Sequence, residues 1–346
     1  MDTLVKTKIL DPKIPEQLQE AIDLLKDGEC VAFPTETVYG LGADALNQEA
    51  VKKIFLAKGR PADNPLIVHI ADRKQINDLV VEVPAEAQVL IEKFWPGPLT
   101  LVLKKKLSVP DIVTAGLSTV AVRMPDHPVA LQLLKSGVPL AAPSANISGK
   151  PSPTRAEHVF SDLNGRIPAI VDGGATQSGV ESTVIDCTIS PFRLLRPGGV
   201  TFEQLKNYCQ IEIDRGVYHH VDKPRSPGMK YKHYSPDADL VLVMGEDKVS
   251  TIVQQVKLHP NKSVGIMAVS EHIKIYREHC PGTTLLEMGS KYDLPTVAEN
   301  IYHLLREVDA RGLELVFVEG FPEENLGMAI MNRLRRAAGK VLRSES

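Results

Sequence analysis

The pattern of apolar residues changes character partway along the chain, and that change constrains the fold more than any single motif does. Up to about residue 210, short β-branched runs (CVAF, LIVHI, LTLVL, TVAVRM, PAIV, STVIDC and RLLR) alternate irregularly with helical patterns. In PEQLQEAIDLLKDG, Leu18, Ala21, Ile22 and Leu25 share one helical face, and Gly28 is placed to end the helix. Irregular order predicts a twisted mixed sheet with helices packed on it. From residue 237 the order is regular: ADLVLVMG, a helix from about Lys248, SVGIMAV, a helix near 271–279, TTLLEM, a helix from about Leu294, LELVFVEG, and a last helix through NLGMAIMNRLRRAAGKVL. Strict alternation of strand and helix predicts a small parallel, Rossmann-like sheet. Between the two, IEIDRGVYHHVDKPRSPGMKYKHYSP (211–236) has no sustained period and reads as a linker. The expectation is α/β throughout, with domains at 1–210 and 237–346; a chain of 346 residues exceeds the roughly 250–300 at which single cores split.

Charge and cysteine spacing then exclude several classes. A net charge of −3 argues against bulk electrostatic capture of nucleic acid, while leaving room for a local basic cleft. Cys30, Cys187, Cys209 and Cys280 are far apart, with no CxxC or Cys/His zinc spacing, which points to a reduced cytoplasmic chain without structural metal or disulfides. No stretch approaches 18 apolar residues, and MDTLVKTKIL lacks the apolar core of a signal peptide, so neither membrane nor secretion is expected. The regular half offers little chemistry. It has no GxGxxG after a strand and no Walker A run, and Arg333, Arg335, Arg336, Lys340 and Arg343 read as a solvated basic face of the last helix.

In the first half, polar residues gather where strands end. PTETVYGLGADA (34–45) follows CVAF and offers hydroxyls on Thr35, Thr37 and Tyr39 beside Gly40 and Gly42. KGRPADNP places Lys58 and Arg60 two apart, where helix-like QEAVKKIFLAKG must stop and turn, which suits phosphate or carboxylate. TVAVRMPDHP puts Arg123 near the end of an apolar strand, where it is either paired structurally or functional. APSANISGKPSPT carries Ser144 and Asn146 in a turn-rich loop, GVESTVIDC carries Ser182 and Thr183 to a strand start, and RLLRPGG ends a strand on Arg196. Cations and hydroxyls without an evident nucleophile are what phosphoryl or nucleotidyl transfer asks of a protein, because positioning and charge neutralisation do most of that work.

The set PTETVYGLGADA, KGRP with NPLIVHI, WPGPLTLVL, VAVRMP, APSANISGKPSPT, GVESTVIDC and LRPGG resembles the YrdC-type threonylcarbamoyl-AMP synthases, and SPGMKYKHYSP before a β/α domain resembles their long, two-domain form. The specific core is Lys58-Gly59-Arg60 with Ser144-Ala145-Asn146, and these blocks show no departure from the pattern. The resemblance implies a twisted mixed sheet with a concave, positively charged cavity. It implies a reaction of L-threonine, bicarbonate and ATP that yields threonylcarbamoyl-AMP and pyrophosphate, with Mg²⁺ sharing the triphosphate charge. A separate transferase would then move the group to tRNA, with at most weak contact between this chain and tRNA. By the resemblance, Thr35, His69, Arg123 and Ser182 match positions that hold threonine. Lys58, Asn64, Thr119, Ser144, Asn146, Ser152, Arg196 and Tyr234 match positions that hold ATP, with Arg60 in the same charged cavity and Lys58, Arg60, Ser144 and Asn146 as the catalytic group.

Two rival readings remain at the level of sequence. An RNA-binding translation or ribosome-maturation factor could use the same cations, although aromatic content is only 5% and no RRM, KH or OB signature appears. A carbamoyl-adenylating step feeding another acceptor, as in hydrogenase maturation, would need zinc-binding parts that four scattered cysteines do not supply. In 226–236, Lys230, Lys232 and His233 interleave with Tyr231 and Tyr234, so this segment is expected to fold over the cavity as a lid, the alternative being that it packs the two domains together.

Overall fold

The structure, a computed structural model, describes residues 5–135, 137–218 and 234–344. Most of the segment expected to act as a lid, up to His233, lies outside the described residues. The chain forms two compact units, Met1–Ser148 with Ser152–Tyr231, and Gly149–Pro151 with Lys232–Ser346.

The first unit is built on a mixed sheet. Its strands in chain order are β1 (Lys8–Leu10), β2 (Val31–Phe33), β3 (Gly40–Asp44), β4 (Ile67–His69), β5 (Leu99–Lys104), β6 (Thr119–Arg123), β7 (Leu140–Ala141), β8 (Ala169–Val171), β9 (Thr183–Asp186), β10 (Phe192–Arg196) and β11 (Ile211–Ile213). In space they run β1-β8-β2-β3-β7-β4-β6-β5-β9-β10-β11. Pairings are parallel at β4–β6 and β5–β9, and antiparallel at β5–β6, β2–β3 and β9–β10, which is the mixed order expected from sequence. All seven expected runs are strands. Strand β3, which is not among those runs, is paired on both sides, by β2 and by β7. Strand β11 lies within the segment that reads as linker and pairs with β10.

Register decides where the polar side chains go. Ile67, Ala121 and Val102 lie opposite one another across β4, β6 and β5, and two residues further along so do His69, Arg123 and Thr100. Side chains two apart on a strand share a face, so one face of the sheet is apolar in the first row and polar in the next. The apolar row packs with Val184 and Leu195 into a small buried cluster. A larger core on Leu25, Phe33, Leu133, Leu140 and Val171 includes Ala21 of the helix Pro15–Lys26, whose apolar stripe is the one expected.

The second unit is a parallel sheet of β12 (Asp239–Met244), β13 (Val264–Val269), β14 (Thr284–Gly289), β15 (Leu315–Glu319) and β16 (Lys340–Arg343), ordered β14-β13-β15-β12-β16. The last helix is shorter than its sequence pattern suggests. It spans Leu326–Ala337, and Gly339 donates to Leu240 O to start the edge strand β16 beside β12. Its basic face is also not uniformly solvated. Arg333 is fully buried, its guanidinium 5.9 Å from the Tyr234 ring and its Nη1 donating to Asn332 Oδ1.

Candidate active site

Arg123, at the end of β6, is the hub of one polar cluster. It is 3% exposed, and its Nη1 donates to Thr37 Oγ1 at 3.0 Å while its Nε donates to Gly97 O at 3.3 Å. Thr37 is held in turn by Thr35, whose hydroxyl lies 2.8 Å from that of Thr37, donates to Val38 O, and accepts the backbone N–H groups of Thr37 and Val38. This Ser/Thr-type turn explains why PTETV does not simply continue β2. On the neighbouring strand Thr100 shares a 2.8 Å hydrogen bond with Ser182. Ser182 is clasped by Arg196, whose Nε donates to its carbonyl and Nη2 to its hydroxyl. The clasp depends on Gly198, where an added Cβ would stand 2.3 Å from Glu181 O and 2.4 Å from Thr183 N. Thr35 with Arg123, and Ser182 with Arg196, all picked out from sequence, thus form two buried hydrogen-bonded groups, and His69, Arg123 and Thr100 lie in register on neighbouring strands.

A second cluster joins the KGR and SAN motifs. The helix Gln48–Lys58 starts on Asn47, whose side chain accepts from Glu49 N and Ala50 N, and ends on Gly59 in the left-handed region at φ 60°. Glycine, rather than the prolines beyond it, makes the stop. Lys58 is thus the last helical residue, not a loop cation, and it is only 3% exposed. Its Nζ donates to the carbonyls of Ser144 and Asn146 at 2.5 and 2.6 Å, and its own carbonyl accepts from Ser148 N. Arg60, half-buried, donates through Nη2 to Asn64 O and lies over the Phe55 ring. The two clusters meet through the PTETVYG segment. Residues 35–37 engage Arg123, while Tyr39 O accepts from Ala145 N and Leu41 N donates to Pro143 O.

Other expected residues fall differently. Ser152 is fully buried and donates to Glu181 Oε1 at 2.7 Å, next to Ser182. Thr119, half-exposed, starts β6 opposite Lys104, four residues from Arg123 along the strand. Tyr234 belongs to the second unit, where it is 4% exposed and its ring lies 5.1 Å from that of Tyr302. Sequence reading passed over Glu36, whose Oε1 is 2.6 Å from Arg123 Nη2, and Thr100. The signal was available for Glu36: a buried strand-end arginine calls for a carboxylate, and PTETV supplies one between two threonines already singled out.

Burial shapes the protonation states. It is the main cause that pushes His69 down to about 3, with the Arg123 charge second, so the imidazole is neutral at pH 7. Its Nδ1 faces Ile67 O at 3.2 Å. Lys58 is held well below the usual lysine range, first by burial and then by the neighbouring Arg60, with Asp162 acting the other way. Burial pushes the thiols of Cys30, Cys187, Cys209 and Cys280 up, so none is a ready nucleophile.

Two family models match consecutive parts of the chain: the Sua5/YciO/YrdC model, described as telomere recombination, over residues 23–198, and the threonylcarbamoyl-AMP synthase C-terminal domain over residues 200–339. The threonylcarbamoyl-AMP synthase of Bacillus subtilis is 50% identical over 330 residues, covering 93% of each chain, and that of Schizosaccharomyces pombe is 41% identical over 95% of this chain and 90% of its own. Among solved structures, Pyrococcus abyssi Sua5 complexed with L-threonine superposes with a TM-score of 0.91 at 46% identity, over 98% of this chain and 99% of that one. Matched along nearly its whole length in sequence and in fold, the chain belongs to the Sua5/YciO/YrdC family, in the form that carries the threonylcarbamoyl-AMP synthase C-terminal domain.

Proposed function

We propose that the chain is a threonylcarbamoyl-AMP synthase, converting L-threonine, bicarbonate and ATP to threonylcarbamoyl-AMP, pyrophosphate and water. The observation that carries the reading is the polar row around Arg123: a buried guanidinium bonded to Thr37, which Thr35 holds, with His69 and the Ser182-bonded Thr100 in register on the strands either side, which suits a small hydroxylated amino acid. The names of its full-length relatives and the threonine complex of a 46% identical structure support it.

In this reading Arg123 receives the carboxylate of threonine, while Thr35, Ser182 and neutral His69 serve its polar groups. The amine and bicarbonate give a carbamate with loss of water, a carbamate oxygen attacks the α-phosphorus of ATP, and pyrophosphate leaves. Every reactant is an anion or becomes one, so Lys58, Arg60 and Arg196 act by offsetting mutual repulsion, and Ser144, Asn146, Asn64 and Ser152 by orienting the nucleotide. Thr119 and Tyr234 keep their nucleotide roles as expectations from the family pattern. Among the described residues no group of three or more His, Cys, Asp or Glu could hold a metal ion. Mg²⁺ belongs here with the nucleotide, as part of the substrate. The product is an activated carbamate, to be collected by a tRNA-modifying transferase. The named relatives give no support to the RNA-binding alternative, since those that match along nearly the whole chain are threonylcarbamoyl-AMP synthases. Threonine-dependent release of pyrophosphate from ATP tests the reading, and release that ignores threonine and bicarbonate would refute it.

A further inference from the structure

The hydroxyls of Thr100 and Ser182 lie 2.8 Å apart, and both residues are fully buried. Thr100 sits in β5 directly opposite Arg123 of β6, and on its other side β5 pairs with β9, which Ser182 immediately precedes. Ser182 Oγ also accepts from Arg196 Nη2 at 3.1 Å. Among the described residues these are the side-chain hydrogen bonds of the two hydroxyls. A hydroxyl has one proton and two lone pairs, and a guanidinium only donates. The pair therefore carries two protons, of which one lies between the two oxygens and the other meets no protein acceptor. A buried donor without an acceptor is costly, so the bound substrate has to supply one.

We propose that Thr100 is a positioning residue: it donates to Ser182 Oγ and so holds the Ser182 hydroxyl as a donor aimed at an anionic oxygen of the amino acid. This rests on the synthase reading and deepens it, since it fixes which part of the substrate Ser182 can meet. Thr100 lies within a strand paired on both edges, and Ser182 is the partner its hydroxyl has. Ser182 stands ahead of its own strand, where substrate is expected. With one lone pair filled by Thr100 and the other by Arg196, Ser182 has no acceptor position left, so it takes no proton from the threonine amine and can only give its own. The Arg196 charge polarises that O–H bond and favours an acceptor that is itself charged. Two such oxygens arise in the reaction, on the threonine carboxylate and on the carbamate made from bicarbonate. The place of Thr100 favours the first. Directly opposed residues of an antiparallel pair hold their Cβ atoms about 4.5–5.5 Å apart, which sets Thr100 beside Arg123 and the carboxylate assigned to it.

The test measures pyrophosphate release by the full chain as threonine, bicarbonate and ATP are varied in turn. Thr100→Val, close in shape but without a hydroxyl, should raise the threonine KM about tenfold and leave the ATP KM within about twofold. Thr100→Ser, which restores the donor, should bring the threonine KM back to within about threefold of the unaltered chain. Ser182→Ala should raise it at least as far as Thr100→Val does. Adding Thr100→Val to Ser182→Ala should then change it by no more than about twofold, because Thr100 acts through Ser182. A rise confined to the bicarbonate KM would uphold the donor role and assign the oxygen to the carbamate. A bond that only ties β5 to the start of β9 would cost stability and move neither constant. That result, equal rises in the threonine and ATP KM, or effects that multiply in the double variant would overturn the proposal while the synthase reading stands. Thr100→Cys, whose thiol is a weak donor, decides the question if Thr100→Val does not fold: it should raise the threonine or bicarbonate KM, and both constants unchanged would overturn the proposal. Absence of threonine-dependent pyrophosphate release in the unaltered chain would overturn both.

Discussion

The ammonium of Lys58 lies 2.6 Å from the carbonyl oxygen of Asn146, so the KGR and SAN motifs, 86 to 88 residues apart in sequence, are braced by a single buried side chain. Lysine here does two jobs: it fixes the loop that carries Ser144 and Asn146, and it keeps a positive charge beside the proposed nucleotide end. Removing it should damage both. Lys58→Ala is expected to lower adenylate formation by about 100- to 1000-fold, as loss of a charge-stabilising donor does. It should also cost about 1–3 kcal/mol of stability for carbonyls left without their donor. Arg60→Ala, at a half-buried position past the helix end, should lose comparable activity with less than about 1 kcal/mol of stability. Paired measurements of pyrophosphate release and denaturant unfolding separate the two, and full activity in both variants would remove this cluster from the site.

Burial and then Arg60 lower the pKa of Lys58 from its usual value in the free protein. A bound triphosphate favours the charged form, so ATP binding should take up protons there, and affinity should fall as pH rises through the pKa of the bound state. Calorimetry of ATP binding over a series of pH values, in buffers of different ionisation enthalpy, measures this directly. Proton uptake that persists unchanged in Lys58→Met would assign it elsewhere.

If Arg123 holds the amino-acid carboxylate, Arg123→Lys keeps the charge and loses the planar fork, so the threonine KM should rise far more than the ATP KM. Equal rises would place Arg123 on the phosphates or in a purely structural pair. Serine should be the nearest competitor, losing only a methyl contact worth about 1–3 kcal/mol.

His69 gives a signature in acid. In the folded chain it stays neutral down to about pH 3, whereas in the unfolded chain it takes a proton near its ordinary value of 6.5. Between these the unfolded state binds more protons, so stability rises with pH across the window and is lost as pH falls from 6.5 toward 3. Unfolding of the first unit can be followed through Trp95, the single tryptophan, which is 2% exposed. His69→Asn should flatten the pH dependence over this window, and an unaltered slope would show that other groups set it.

Much of this was legible in the sequence, for identifiable reasons. The strand LIVHI and the strand TVAVRM announce themselves through β-branched residues, and the same runs made Arg123 conspicuous as a charge among buried neighbours. GLGAD did not, since glycines flanking a leucine read as a loop, and only pairing on both sides by β2 and β7 makes it a strand. Local pattern puts Lys58 at a turn because helix ends are uncertain by a residue or two, and its burial comes from the SAN loop folding back over it. Glu36 and Thr100 stayed hidden because their importance lies in register across β4, β6 and β5, and in a partner some 87 residues away, neither of which local pattern carries. The basic stripe of the last helix misled in the same way: Arg333 is buried by a tyrosine nearly a hundred residues earlier in the chain.

The most direct measurement follows one labelled carbon. The purified chain is incubated with ATP, Mg²⁺, ¹⁴C-bicarbonate and threonine, without RNA, and the products are separated quickly to outrun hydrolysis. A synthase places the label in a species that also contains threonine and AMP, formed in step with pyrophosphate, and Arg123→Lys requires more threonine to make it. Label that never enters such a species, with ATP or RNA bound but not turned over, would contradict the assignment of this site to threonylcarbamoyl-AMP synthesis.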